Sequence, residues 1–280
     1  MTSDAPSTPA HEADPEALAG LAAEIAKSTG LLIRELRAAG VSVAASKSSD
    51  VDIVTEADRR AEQAVVEAIR AARPRDGVLG EEGAGIPSES GITWVVDPID
   101  GTVNYLYGLP AYAVSIAATV PDPAAAADGR RAIAGAVYAP PTDELFEAWE
   151  GGGARMNGTR IAISGETRLS HTLVGTGFGY TAERRAEQAV MVSRLLPRAR
   201  DIRRLGSAAF DLCSVACGRL DAYYERGLQP WDYAAGFLIL REAGGAILGR
   251  DAETPPGEPL IFAGDPALVE ELRGVVLGAE

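Results

Sequence analysis

WVVDPIDGTVNY (residues 94–105) joins two kinds of chain. With the two residues before it, the stretch begins as ITWVV (92–96), a continuous β-prone run that reads as a buried strand. The run stops abruptly in Asp97-Pro98-Ile99-Asp100-Gly101. Pro98 fixes its own φ and keeps Asp97 out of a helix. Gly101 permits a tight turn or the close approach of a ligand. Two readings of the paired acids stand side by side. One is a strand-end Asp-Pro turn in which Asp100 caps a helix. In the other, both carboxylates converge on one point, where like charges repel unless a cation lies between them. The Ile99 carbonyl would then be a further hard oxygen donor, and oxygen donors of this kind suit Mg²⁺.

Upstream of this stretch, Leu18, Leu21, Ile25, Leu32, Ile33 and Leu36 recur with helical spacing from Pro15 to a stop at Gly40. Thr55-Glu56-Ala57-Asp58 has the form of a capping box opening a helix that ends before Pro74. A short VLG strand leads into Glu81-Glu82. Downstream, strands are expected over 112–120, 132–139, 144–149, 160–163 and 173–177, with a turn at Gly151-Gly152-Gly153. Helices follow over 181–196, 206–218, 231–243 and 266–273, separated by strands at 202–203, 220–225, 246–248 and 259–263. Clustered strands with helices between the clusters predict layered α+β packing. Residues 1–14 read as a disordered leader and 15–280 as the folded region, with a subdomain break expected near residue 150.

Composition excludes several classes. The 280 residues are 46% apolar, which suits a folded core, and no apolar run reaches the ~20 residues a bilayer requires. A formal charge of −14 and the absence of a basic stripe argue against nucleic-acid binding. They do not exclude phosphate chemistry, because carboxylates can hold a cation and the cation can hold a phosphate. Cys213 and Cys217, four apart in an apolar segment, read as small buried hydrophobes. With no signal peptide at the start, the expected location is the cytoplasm. GGGAR (151–155) lacks the Gly-Lys-Ser/Thr of a phosphate loop, and GTGFGY (175–180) lacks dinucleotide-fingerprint spacing; the latter reads as a strand end beside the substrate. RARDIRR (198–204) reads as a solvated face or an interface, and His171 as a surface residue.

Other acids fall at element ends: Glu81 after a strand, Asp58 in the first turn of a helix, and Asp232 just after Trp231. Each has a local explanation, since helix-start acids favour the macrodipole, and Trp231 by itself reads as a core aromatic. Taken together they resemble a known family. WVVDPIDGTVNY (94–105) and WDYAAGFLILREAGG (231–245) closely resemble the two signature motifs of the inositol monophosphatase family. GEE (80–82), KSSDVDIVTEAD (47–58) and DAYYE (221–225) lie in the same order and spacing, from about residue 15 to the end.

The resemblance implies a layered αβαβα sandwich of the inositol monophosphatase/fructose-1,6-bisphosphatase type. It implies two or three Mg²⁺ ions: one held by Glu81, Asp97 and the Ile99 carbonyl, a second by Asp97, Asp100 and Asp232, and a weaker third near Glu81. Thr102, with Glu81 or Asp58, would orient the attacking water. The Gly101 and Thr102 amides would contact phosphate at a helix N-terminus. Glu225 would accept hydrogen bonds from sugar hydroxyls, Ser207 and Ala208 would line the same pocket, and Lys47 would lie near the metals. The expected activity is hydrolysis of a polyol or sugar phosphate, foremost inositol 1-phosphate, by a Li⁺-sensitive homodimer with no nucleic-acid or membrane partner. Histidinol phosphate, fructose 1,6-bisphosphate and 3′-phosphoadenosine 5′-phosphate are alternatives within the same chemistry, and a catalytically silent regulatory protein is the alternative of another class. Val103, Tyr105, Gly83 and Pro230 depart from the common family pattern without removing a ligand.

Overall fold

Helix α1 (Pro15–Ala39) starts where the sequence pattern turns helical: the Asp14 side chain accepts the Glu16 N–H at 3.1 Å, and Pro15 occupies the first turn. The computed structural model describes residues 14–40, 43–46 and 53–279. Lys47 and residues 1–13 of the expected leader lie outside the described residues. A hairpin of β1 (Val43–Ser46) and β2 (Ile53–Thr55) leads into α2 (Glu56–Ala72), and Thr55 and Asp58 form the anticipated capping box at its start. Leu18, Ala22, Ile25 and Ile33 of α1, with Ala61, Val65 and Ile69 of α2, form one apolar surface.

That surface covers one face of an eight-stranded sheet. Its order is β10 (Thr159–Arg160), β9 (Gly153–Met156), β8 (Glu144–Trp149), β7 (Arg130–Ala139), β6 (Ala113–Pro121), β5 (Thr93–Asp100), β3 (Gly77–Gly80) and β4 (Gly85–Ile86). Only β3 and β5 pair in parallel. The sheet continues past residue 150 into β9 and β10. A second sheet has the order β12 (Asp201–Arg203), β11 (Leu173–Thr176), β13 (Ala222–Arg226), β15 (Leu260–Gly264) and β14 (Ala246–Leu248). Helices α5 (Ala208–Ala216) and α6 (Pro230–Glu242) lie between the sheets. Helices α4 (Ala182–Leu195) and α7 (Pro266–Leu277) cover the outer face of the smaller one. The succession of layers is therefore αβαβα. It follows from pattern: α6 is buried without interruption from Tyr233 to Leu240, as a helix covered on both sides must be.

Two expected strands differ in extent, and β1, β2, β4 and β9 are short strands that the sequence reading does not assign. The strand expected to end at Val96 runs on to Asp100, and the segment 160–163 pairs only at Thr159–Arg160, against β9. Beyond it, Ile161 and Ile163 leave the sheet and pack on the central core. The extension of β5 has a consequence for the site. Asp97 pairs with Ser115 and Asp100 with Ala113, so two residues of β5 oppose one of β6: a β-bulge. Pro98, which has no N–H to give the ladder, sits inside it. In a regular strand, residues three apart point to opposite faces. The extra residue restores Asp97 and Asp100 to the same side. After the bulge, Gly101 turns the chain with φ +95° into the short helix α3 (Thr102–Tyr107). A Cβ there would lie 2.9 Å from the Ala111 carbonyl oxygen and 3.0 Å from that of Gly206, so both conformation and space call for glycine.

Ile239 is fully buried in α6 between the two sheets. Ile239→Ala is expected to destabilise the fold by about 2–5 kcal/mol, read from the midpoint shift in urea denaturation.

Candidate metal centre and substrate cleft

Three carboxylates from two distant parts of the chain meet at the bulged end of β5. Ligand oxygens of Asp97, Asp100 and Asp232 all lie within 4.8 Å of one another. Asp97 and Asp100 arrive on the bulged end of β5, and Asp232 arrives in the first turn of α6. Each is held in place by main-chain donors. Asp97 accepts the Ile99 N–H at 3.0 Å. Asp232 accepts the Gln229 N–H at 2.6 Å. Asp100 accepts the Ser207 hydroxyl at 2.7 Å and the Ala209 and Ala208 N–H groups at 2.7 and 3.2 Å. Asp100 thus converges with Asp97 and also caps a helix, but that helix is α5, more than a hundred residues away in sequence, and not α3 beside it.

Such crowding raises proton affinity. Burial pushes Asp97 well above the usual carboxylate range, and the charges of Glu81, Asp100 and Asp232 add to the shift. Desolvation followed by the charges of Asp100 and Glu81 does the same to Asp232. Asp100 is raised by burial, against the lowering effect of the Ser207 hydroxyl and the α5 amides. Hard oxygen donors at this spacing, two of them buried and the third half-buried, and mutually repelling, fit a divalent cation such as Mg²⁺. The cluster has the chemistry of a metal centre.

Asp58 is fully buried, with its pKa raised by burial to about 6. Its Oδ2 accepts the Thr55 N–H and hydroxyl, while Oδ1 lies 3.1 Å from the Thr102 hydroxyl. The Thr102 hydroxyl is also 3.0 Å from the Ile99 carbonyl, so its single proton has two acceptors within reach.

The carboxylates open into a cleft of about 480 Å³. Glu81, Ile99, Gly101, Thr102, Ala208 and Glu225 line it along with the three aspartates, which brings together nearly all the residues singled out in the sequence. Ser207 and Asp58 are the exceptions among the described residues: both are buried, the Ser207 hydroxyl is committed to Asp100, and Asp58 reaches the cleft only through the Thr102 hydroxyl. Trp231, read as a core aromatic, packs partly on the central core and also lines the cleft. Residues 177–181, following β11, form another part of the wall, where the strand-end reading placed the substrate. Burial raises Glu225 to about 7, although the Tyr223 hydroxyl that donates to it acts in the opposite direction.

Sequence reasoning missed Arg184 and Arg204, which line the cleft, and Asp211, buried in α5 with its proton affinity raised by burial and by the charges of Glu225 and Asp100. Arg204 stood in a basic cluster read as a surface feature, and Asp211 in an apolar run. Nothing local marked Arg204 as belonging to the cleft or Asp211 as an acid buried near Glu225 and Asp100.

The sequence profile of the inositol monophosphatase family matches residues 14–277. The chain is 41% identical over 278 residues to inositol-1-monophosphatase SuhB of Mycobacterium tuberculosis, covering 92% of this chain and 93% of that one. It is 39% identical over 241 residues to the Nus factor SuhB of Xylella fastidiosa, covering 83% and 84%. Among solved structures, the extragenic suppressor protein SuhB of Bartonella henselae superposes with a TM-score of 0.84 at 32% identity, covering 94% of this chain and all of that one.

The raised carboxyl groups give a pH prediction. A group whose pKa is higher in the folded than in the unfolded chain stabilises fully below the unfolded value and loses that contribution as pH rises through the folded one. For Asp58 that window runs from 3.8 to about 6, and for Glu225 from 4.5 to about 7. The Tm of chelator-treated protein is expected to fall as pH rises from about 4 to 7, and added Mg²⁺ to raise Tm more at pH 7.5 than at pH 5. Differential scanning calorimetry across that range checks the sign.

Proposed function

Because this chain belongs to the inositol monophosphatase family, we propose that it is an Mg²⁺-dependent phosphomonoesterase whose foremost substrate is inositol 1-phosphate. The single observation that carries this reading is the convergence of Asp97, Asp100 and Asp232 within 4.8 Å, at the edge of a cleft large enough for a small phosphorylated polyol. No part of the proposed chemistry needs a histidine or cysteine nucleophile. His171 has a partly exposed side chain near Glu166, and Cys213 is buried in the central core.

In this reading Glu81, Asp97, Asp100, Asp232 and the Ile99 carbonyl hold two or three Mg²⁺ ions. When bound, the ions supply Lewis acidity and charge neutralisation for a phosphate dianion that would otherwise repel its nucleophile. The protein's own groups do the rest. Thr102 accepts a hydrogen bond from water while donating to Asp58 or the Ile99 carbonyl, which fixes the water's direction toward phosphorus. The Gly101 and Thr102 amides contact the phosphate. Glu225 accepts hydrogen bonds from hydroxyls of the alcohol, and Ala208 leaves room for the ring. Asp100 links the two functions, because the α5 amides and Ser207 orient the carboxylate that faces the metal. A Li⁺-sensitive, cytoplasmic homodimer without nucleic-acid or membrane partners completes the proposal. Among the described residues no helix is long and apolar enough to cross a membrane.

Relatives named Nus factor motivate a second reading, in which the fold serves regulation without turnover. Retention of the three convergent aspartates, with Glu81 and Thr102 beside them, favours catalysis.

The test is phosphate release from inositol 1-phosphate at millimolar Mg²⁺. Asp97→Asn is expected to lower kcat/KM by more than about a hundredfold, beyond the range typical of residues that only support a ligand, with an unchanged circular dichroism spectrum. Near-normal turnover in that variant would overturn the ligand assignment, and a wild-type chain that neither turns over substrate nor binds Mg²⁺ in a calorimeter would favour the regulatory reading.

On a panel that includes histidinol phosphate, fructose 1,6-bisphosphate and 3′-phosphoadenosine 5′-phosphate, Glu225→Gln is expected to raise KM for inositol 1-phosphate more than for the others. An equal effect on all four would count against inositol 1-phosphate as the preferred substrate.

A further inference from the structure

Glu62 stands out because it is an acid almost fully buried, 7% exposed, that no part of the proposed chemistry uses. It lies on α2 one helical turn beyond Asp58, so the two carboxylates emerge from the same face of the helix. Its surroundings explain why it is there. Its Oε2 accepts the Glu82 N–H at 2.8 Å and its Oε1 accepts the Ala84 N–H at 3.0 Å. Those amides belong to the turn between β3 and β4, and Glu81 is the first residue of that turn.

Further contacts fix the same turn. The Gly80 N–H donates to the Ala84 carbonyl at 2.8 Å, and the Glu81 N–H to the Val96 carbonyl at 3.2 Å. At Gly80 a Cβ would lie 2.1 Å from Glu62 Oε2 and 2.7 Å from its Cδ. The glycine is therefore the space into which the Glu62 carboxylate fits. Charge-assisted hydrogen bonds to two amides of one turn are stronger than neutral ones and set its orientation as well as its position. The turn in turn presents Glu81 to the cleft, where its charge bears directly on Asp97.

We infer that Glu62 is a positioning residue of the metal centre, which holds the 81–84 turn so that Glu81 faces Asp97. The inference rests on the reading of Glu81 and Asp97 as metal ligands. With it, α2 becomes the common reference for two parts of the site: Asp58 fixes the Thr102 hydroxyl, and Glu62, four residues later, fixes the turn carrying Glu81. A ligand whose orientation depends on an outer carboxylate loses affinity for its ion when that carboxylate is changed, typically by about 10–100-fold.

Glu62→Gln keeps the size of the side chain but places an NH₂ against one of the two amides, donor facing donor. It is expected to weaken Mg²⁺ binding, measured by isothermal titration calorimetry on metal-stripped protein, by about tenfold or more. The Mg²⁺ concentration needed for half-maximal turnover is expected to rise in parallel, while kcat at saturating Mg²⁺ falls much less. Gly80→Ala, which displaces the carboxylate without changing it, is expected to weaken binding in the same direction and serves if Glu62→Gln does not fold. Asp76→Asn is the control for lost stability alone. Asp76 is a buried acid at the other end of β3 that accepts from Trp94, Ser90 and Arg73, and its loss is expected to lower Tm with the Mg²⁺ affinity unmoved. A folded Glu62→Gln protein that binds Mg²⁺ as tightly as wild type overturns this inference alone. A wild-type protein that binds no Mg²⁺ overturns it together with the proposed function.

Discussion

Mutual repulsion among buried carboxylates is the constraint around which this structure is arranged. Asp97, Asp100 and Asp232 come within 4.8 Å of one another in a setting where burial already penalises their charge. Such a cluster persists in a folded chain when each member is anchored by main-chain donors and when a cation or protons offset the charge. The anchoring is visible for each acid: the Ile99 amide for Asp97, the Gln229 amide for Asp232, and the start of α5 for Asp100. Each anchoring amide lies at the end of an element or in a bulge, where the regular ladder leaves N–H groups unclaimed.

The layered architecture supplies those ends. Strand β5 is central enough in the large sheet to be buried along its length, and its bulge ends it where α5 and α6 begin. Both helices are sandwiched between two sheets, so their first turns are fixed by packing on both sides. Asp100 ties the two halves of the site together, since it faces the aspartate cluster while capping the helix whose first residue, Ala208, lines the cleft. From the opposite side, α2 reaches the same point through Asp58 and Glu62, so the site is braced from two layers of the fold.

Much of this was legible in the sequence, and the reason is local. The apolar run at 92–96, the Asp-Pro pair, the capping box at Thr55–Asp58 and the all-apolar face of 233–240 each signal their structure over a few residues. Where the reading fell short, the determining partner was distant. The bulge depends on the register of β6, so strand 92–96 was expected to stop at Asp97. Ser207 was expected in the pocket wall and is turned into Asp100 instead. Arg204 carried no local sign that its segment returns to the cleft.

The sequence by itself determined which groups are available and which elements carry them: acids at the ends of strands and the starts of helices, glycine where the chain must turn sharply, and helices apolar enough to be covered on both faces. Those follow from side-chain chemistry and from the two backbone periodicities. Only the tertiary structure decided which acids share one point, which helix Asp100 caps, and that Glu62 holds the turn of Glu81 from twenty residues away. Those outcomes depend on strand register and on packing between layers: without the extra residue of the β5 bulge, Asp97 and Asp100 would point to opposite faces.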